Sequence, residues 1–307
     1  MQNHIRGMCY AIKHRLKICE TSVLLKYTSR AAVRQNQSRE LDAFALTLHY
    51  LCPKKEMLVL LSCAKTMTER PGTGQTEPLF RQEAERTASL LSRYGVEELG
   101  QILGVGTKIA AENRLRYLDF QVDGRKPTAA LFGYTGIVFK RLRADDFSAD
   151  DLQYAQEHLR LTSFLYGLLR PLDGIFLYRL EGGVRLPENG GQTMFDFWKP
   201  KLTDALIADT RKAGGVLCNL ASGEMRNLFD WQRVEREVTV VSPEFKVRKA
   251  GKWATVTTYA KMMRGEMARF VLKHRVKAIE GLPAFASEDG FSYNSSLSDA
   301  LHPVFTL

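Results

Sequence analysis

The segment Leu165–Leu186, LYGLLRPLDGIFLYRLEGGVRL, constrains this chain more than any other. Arg170, Asp173, Arg179, Glu181 and Arg185 are interleaved there with Leu, Ile, Phe and Tyr, including Tyr166 and Tyr178. A solvated charge run is not built this way. Charges set in apolar sequence are drawn towards the interior, and a buried charge requires a partner or a ligand. The two cations and two carboxylates of Arg-Pro-Leu-Asp and Tyr-Arg-Leu-Glu either satisfy one another, as Arg170–Glu181 and Arg179–Asp173, or grip an anion.

The rest of the chain alternates short apolar runs with helical periodicities. Met57 opens Met-Leu-Val-Leu-Leu-Ser, which reads as a buried strand. Glu77–Tyr94, Val96–Leu103, Thr107–Phe120, a segment from Ser148 to about Leu159, Met194–Lys212 and Ala260–Arg275 read as helices. Val216–Leu220, Glu237–Val241 and Trp253–Thr258 read as strands, and Ala129–Phe139 holds a further strand. No repeat or low-complexity linker interrupts residues 57–307, so they are expected to form one domain, a mixed sheet flanked by helices. Residues 1–56 differ: they carry 10 of the chain's Lys and Arg against 4 Asp and Glu, in patches without sustained period. They read as an upstream over-read or a loosely attached basic extension. A basic, acid-poor N-terminus also has a faint likeness to an organellar transit peptide.

The formal charge of +10 makes polyanions plausible partners without saying which. Five cysteines, widely spaced and without a Cys-x-x-Cys pair, argue against a disulfide framework and a zinc site and fit a reducing cytoplasm. The six histidines show no ligand spacing. No metal and no cofactor are expected, and no run is long enough for a membrane helix.

Four further motifs carry chemistry. Lys65, in Ser62-Cys63-Ala64-Lys65-Thr66, follows the first strand, where open sheets place ligands. It could anchor an anion or, if desolvated, act as an amine nucleophile; a plain surface lysine is the bland alternative. Leu103-Gly104-Val105-Gly106-Thr107-Lys108-Ile109-Ala110 resembles the hairpin of a helix-hairpin-helix element, which aims backbone N–H groups at a phosphate, with Lys108, Arg114 and Arg116 adding charge. The alternative is a simple glycine turn between packed helices. Asn219, Ser222 and Glu224 follow another strand and mark a second site edge, unless Ser222 merely caps a helix. Lys261 and Arg264 share one face of the last helix.

Together these stretches resemble the YaaA peroxide-stress family. The matching text is Leu61–Met67, Gln156–Arg160, Leu165–Asp173, Tyr178–Glu181, Phe197-Trp198, Asn219–Ser222 and Tyr259–Gly265, in order across residues 57–307. The resemblance implies a single α+β domain with a curved mixed sheet flanked by helical regions around a basic cleft. It also implies a cytosolic protein that protects against oxidative damage and binds DNA through a helix-hairpin-helix element. The chain departs from the family pattern at Cys63, where proline is usual, at Ile137, where an acidic residue is common, and at Gly223.

The leading expectation is sequence-independent binding of double-stranded or structured DNA. Gly104, Gly106, Lys108, Arg114, Arg170, Arg179, Lys261 and Arg264 would contact phosphates, with Tyr166, Tyr178, Asn219, Ser222 and Glu224 elsewhere in the cleft. The alternative is an enzyme acting on a nucleobase, nucleotide or DNA lesion. Lys65 would then be nucleophile or anchor and Asp173 or Glu181 the proton carrier. A third possibility makes the charges of Leu165–Leu186 structural ion pairs.

Overall fold

The structure, a computed structural model, describes residues 56–187 and 190–307. The reading of residues 1–56 as an extension falls, apart from Glu56, outside the described residues.

The central sheet is organised around β1 (Met57–Leu61), whose five residues are all buried. Its unbroken apolar run is what a parallel strand covered on both faces requires. On one side β1 pairs in parallel with β2 (Leu159–Ser163), which carries the antiparallel edge strand β3 (Gly167–Leu169). On the other it pairs in parallel with β4 (Val216–Asn219), followed by the parallel edge strand β5 (Thr239–Val241). The order is thus β3-β2-β1-β4-β5. A second sheet consists of β6 (Glu244–Lys249), β7 (Lys252–Ala254), β8 (Ser292–Tyr293) and β9 (Val304–Thr306), in the order β7-β6-β9-β8. The rings of Phe245, Phe285, Phe291 and Phe305 pack together there.

Besides the short helix Ala130–Gly133, the α-helices are α1 (Arg81–Ser92), α2 (Val96–Leu103), α3 (Thr107–Asp119), α4 (Ile137–Leu142), α5 (Ala149–His158), α6 (Met194–Ala213), α7 (Trp231–Glu237) and α8 (Thr257–Lys273). Helices α5, α6 and α8 pack on β1, and α8 also packs on α4. Helix α6 presents Trp198, Leu202 and Leu206 to the core, and the Trp198 indole N–H donates to the Phe164 carbonyl at 2.7 Å. Mixed sheets interspersed with helices make this an α+β fold. Among the described residues no helix is long and apolar enough to cross a membrane.

Helix α1 starts at Arg81 instead of Glu77 and α8 at Thr257 instead of Ala260, and three further differences from the sequence reading have a physical reason. Strand β2 follows α5 without a loop, although its sequence, LRLTS, is half polar. Each polar residue has its own partner: Arg160 reaches Asp209 on α6 at 2.5 Å, Thr162 accepts the Cys63 N–H, and Ser163 meets the Tyr178 hydroxyl. The expected strand Trp253–Thr258 stops at Ala254, because α8 already begins at Thr257. Glu237 ends α7 instead of starting β5.

Helices α2 and α3 are joined by the expected glycine turn. Gly104 adopts φ +62, a left-handed conformation, and lets the Val105 N–H close on the Gly100 carbonyl at 2.9 Å. No heavy atom lies near the Cβ positions of Gly104 or Gly106, so the turn faces open space.

Candidate functional site: a basic cavity at the strand ends

The carboxyl ends of β1, β2 and β4 open into a cavity of about 500 Å³. The chain visits one flank of β1 through β2 and later crosses to the other through β4, so the cavity sits where an open sheet reverses its winding, the usual place for a ligand. Ser62 and Ser222 tie the two exit loops together: the Ser222 N–H donates to Ser62 Oγ at 2.8 Å. Ser222 therefore does not cap the following turn through its side chain, contrary to the bland reading of that motif.

Lys65 Nζ stands 2.8 Å from Glu181 Oε2, and Arg179 Nη2 stands 2.8 Å from Glu181 Oε1. One carboxylate thus serves two cations. The Tyr117 hydroxyl donates to the Arg179 carbonyl, which fixes this stretch to α3. From α8, Lys261 and Arg264 face the same cavity. Neither makes an ion pair among the described residues, and burial pulls the Arg264 guanidinium below its ordinary pKa. Glu224 is the second carboxylate on the lining and is exposed. Four cations thus face two carboxylates, and Ile137 contributes an apolar side chain to the same lining.

Phe139, Phe164, Leu180 and Leu220 make up an apolar part of the wall, and Thr66, Thr135 and Thr257 add hydroxyl-bearing side chains. Under it the Tyr178 hydroxyl meets those of Tyr134 at 2.8 Å and Ser163 at 2.6 Å. Burial pushes both phenols well above their ordinary range, so they are held as neutral hydrogen-bonding groups. Burial likewise pushes the Cys63 thiol up to about 12. Cys63 is therefore a protonated thiol at neutral pH, and its N–H, which a proline would lack, donates to Thr162 Oγ1 at 3.3 Å.

Of the residues singled out from sequence, the cavity gathers Lys65, Tyr178, Arg179, Glu181, Ser222, Glu224, Lys261 and Arg264. Arg170 and Asp173 do not line it, and the expected pairing is corrected. Arg170 pairs with Asp173 at 2.9 Å and Arg179 with Glu181. Asp173 is fully buried, accepting also from Thr76 Oγ1 at 2.7 Å and the Arg170 N–H at 2.8 Å. Tyr166 is buried off the cavity and accepts the Phe176 N–H. Asn219 lies beneath the β4 exit, where its side chain accepts the Ala221 N–H and contacts Ser242. Gly104, Gly106, Lys108 and Arg114 lie apart on the α2–α3 hairpin; Lys108 is exposed, whereas Arg114 Nε donates to the Tyr94 carbonyl at 3.1 Å. Sequence reasoning missed Phe164 and Thr257, which carry no chemical signature and are placed only by the sheet and the start of α8.

Fold and site define an α+β protein with a basic cavity at the carboxyl ends of its parallel strands. Residues 57–297 match the family described as peroxide stress protein YaaA, and the chain belongs to that family. It is 59% identical over 253 residues to a UPF0246 protein of Bacteroides fragilis, covering 81% of this chain and 98% of that one. A UPF0246 protein of Bacteroides thetaiotaomicron is 56% identical over 254 residues, covering 81% and 98%. One from Acaryochloris marina is 36% identical over 253 residues, covering 81% and 99%.

Proposed function

We propose that this protein serves the peroxide-stress response in the cytoplasm by binding DNA without sequence preference and so limiting oxidative damage to it. The observation that carries the reading is that Lys261 and Arg264, without an ion pair among the described residues, face a cavity of about 500 Å³. Such a volume suits a single nucleotide, not a duplex, so one nucleotide enters with its phosphate against these cations while the rest of the strand is held outside. The α2–α3 hairpin supplies the outer hold: its glycine turn is open to a phosphate and Lys108 stands beside it. The test is DNA affinity against salt for the full chain, Lys108→Glu, and Lys261→Gln with Arg264→Gln. Each lost phosphate contact flattens the salt dependence by about one unit. Wild-type affinity in all variants would remove the reading.

A second reading, catalysis on a damaged nucleotide, draws on the 2.8 Å contact between Lys65 and Glu181. With its proton passed to Glu181, the Lys65 amine would add to the aldehyde of an abasic sugar and lose water to form a Schiff base. Asp173, enclosed by its own hydrogen bonds, has no part in this chemistry. Borohydride trapping on abasic DNA tests it, and absence of a Lys65-dependent adduct counts against it.

A further inference from the structure

The β6–β7 hairpin is a basic ribbon that the cavity does not use. Its two-residue turn, Ala250-Gly251, has both residues at positive φ, 50 and 79, the geometry that matches the twist of paired strands. At its tip Lys249 faces Lys252, and Arg248 faces Trp253 across the ladder. All four side chains are exposed. None of the three cations forms an ion pair or hydrogen bond among the described residues. Other exposed cations, such as Arg93, Lys108, Lys140 and Lys212, also lack an ion pair among the described residues, but on this hairpin three stand together. Concentrated unneutralised charge beside a solvent-facing indole fits a ligand that is both anionic and aromatic.

The ribbon is also placed to act with the cavity. Strand β7 ends at Ala254, and Thr257, which opens α8, already lines the cavity. Thr257 is four positions beyond Trp253, a reach of at most about 14 Å. A strand with one nucleotide in the cavity would carry its neighbours past Trp253. Arg248 shares the ribbon face of Trp253, while Lys249 and Lys252 project from the other face at the tip, so a strand crossing the tip meets cations for its phosphates and an indole for a base face, the combination that holds single strands without reading sequence.

We propose that the β6–β7 hairpin is a single-stranded nucleic-acid arm, in which Arg248, Lys249 and Lys252 hold phosphates and Trp253 stacks on an unpaired base. This rests on the DNA-binding reading and names the element that engages the strand leaving the cavity.

The probe is a fifteen-residue oligothymidylate titrated into the full chain. The protein has three tryptophans, and Trp198 and Trp231 are buried while Trp253 is 40% exposed, so quenching by the oligomer reports on Trp253. The oligomer is expected to quench the wild-type emission, and a duplex of equal length to quench it far less. Trp253→Ala should lose the quenching and bind about tenfold more weakly. Replacing Arg248, Lys249 and Lys252 by Gln should flatten the salt dependence by about two units. Variants that bind with wild-type affinity and salt dependence, while Arg264→Gln weakens binding, overturn the arm and leave the DNA reading standing. Equal quenching by the duplex overturns stacking on an unpaired base. A wild-type chain that binds neither nucleic acid overturns both.

Discussion

Lys65 Nζ lies 2.8 Å from Glu181 Oε2, and this contact joins the exit of the central strand to the charged segment that dominates the sequence. Glu181 does not neutralise the cavity, because Arg179 shares the same carboxylate and two further cations stand beyond it. An incoming phosphate competes with one side chain for two cations already in place. On the proposed DNA-binding reading, the arrangement would serve as an anion subsite with a removable internal counterion.

Glu181→Gln should therefore tighten anion binding. The amide keeps the shape but frees Lys65 and Arg179, adding one unit of positive charge to the cavity. Lys65 is 65% exposed, and partly solvated pairs of this kind contribute about 1 kcal/mol or less, so folding should change little. Titration of the full chain with oligonucleotide should show severalfold tighter binding and a salt dependence steeper by about one unit. Weaker binding would mean that the carboxylate itself touches the ligand.

Asp173→Ala should act on stability instead. Removing this buried carboxylate leaves the Thr76 hydroxyl and the Arg170 N–H without their acceptor, whereas the half-exposed Arg170 guanidinium keeps the Glu77 carbonyl and water. A buried polar group left without its acceptor costs about 1–3 kcal/mol. Urea unfolding should report that loss, while the folded fraction binds oligonucleotide with unchanged affinity. Weakened binding without loss of stability would return Asp173 to the site.

The two preceding cases show where sequence reasoning stopped. The charges of Leu165–Leu186 were recognisable as partnered because they sit in apolar sequence, and Met57–Leu61 as a central strand because it is uniformly apolar. Which cation met which carboxylate was not legible. Thr76 and Glu77, which complete the Arg170–Asp173 knot, arrive from a distant segment with no local pattern. Strand β2 was hidden for the same reason, since Arg160 reads as a surface residue until Asp209 on α6 is brought to it. Lys65, Lys261 and Arg264 could be singled out by their positions at a strand end and on a helix face, but their convergence needed the sheet order.

The acid limb of stability should depend on Asp151. A hydrogen bond from Lys273 chiefly, and the capping contacts with Ser148 next, hold its carboxyl well below the ordinary carboxylate range. A carboxylate depressed in the folded state stabilises fully above the unfolded value of about 3.9, and that contribution is lost as pH falls towards the folded pKa. Asp151→Asn should thus be less stable than wild type at pH 7, with a gap that narrows at pH 2.5. Urea midpoints at the two pH values provide the check. A gap of equal size at both would show that the ionised carboxylate is not its source.

Gly265 offers a test in which two effects have opposite signs. Inside an exposed helix, glycine to alanine usually stabilises by about 1 kcal/mol. Here a Cβ at Gly265 would stand 2.1 Å from the Val138 carbonyl oxygen and 3.0 Å from Arg141 Cβ, so α8 and α4 approach as closely as only glycine permits. The obstructing atom is backbone and cannot rotate aside. Gly265→Ala must push the helices apart, at a cost of about 1–3 kcal/mol that outweighs the propensity gain. The same displacement moves Arg264 on one wall away from Val138 on the other, and both line the cavity. Lower stability and weaker oligonucleotide binding should therefore appear together, measured by urea unfolding and titration of one preparation. A stabilised variant would show that the helices have room to spare and that this glycine does not set the width of the cavity.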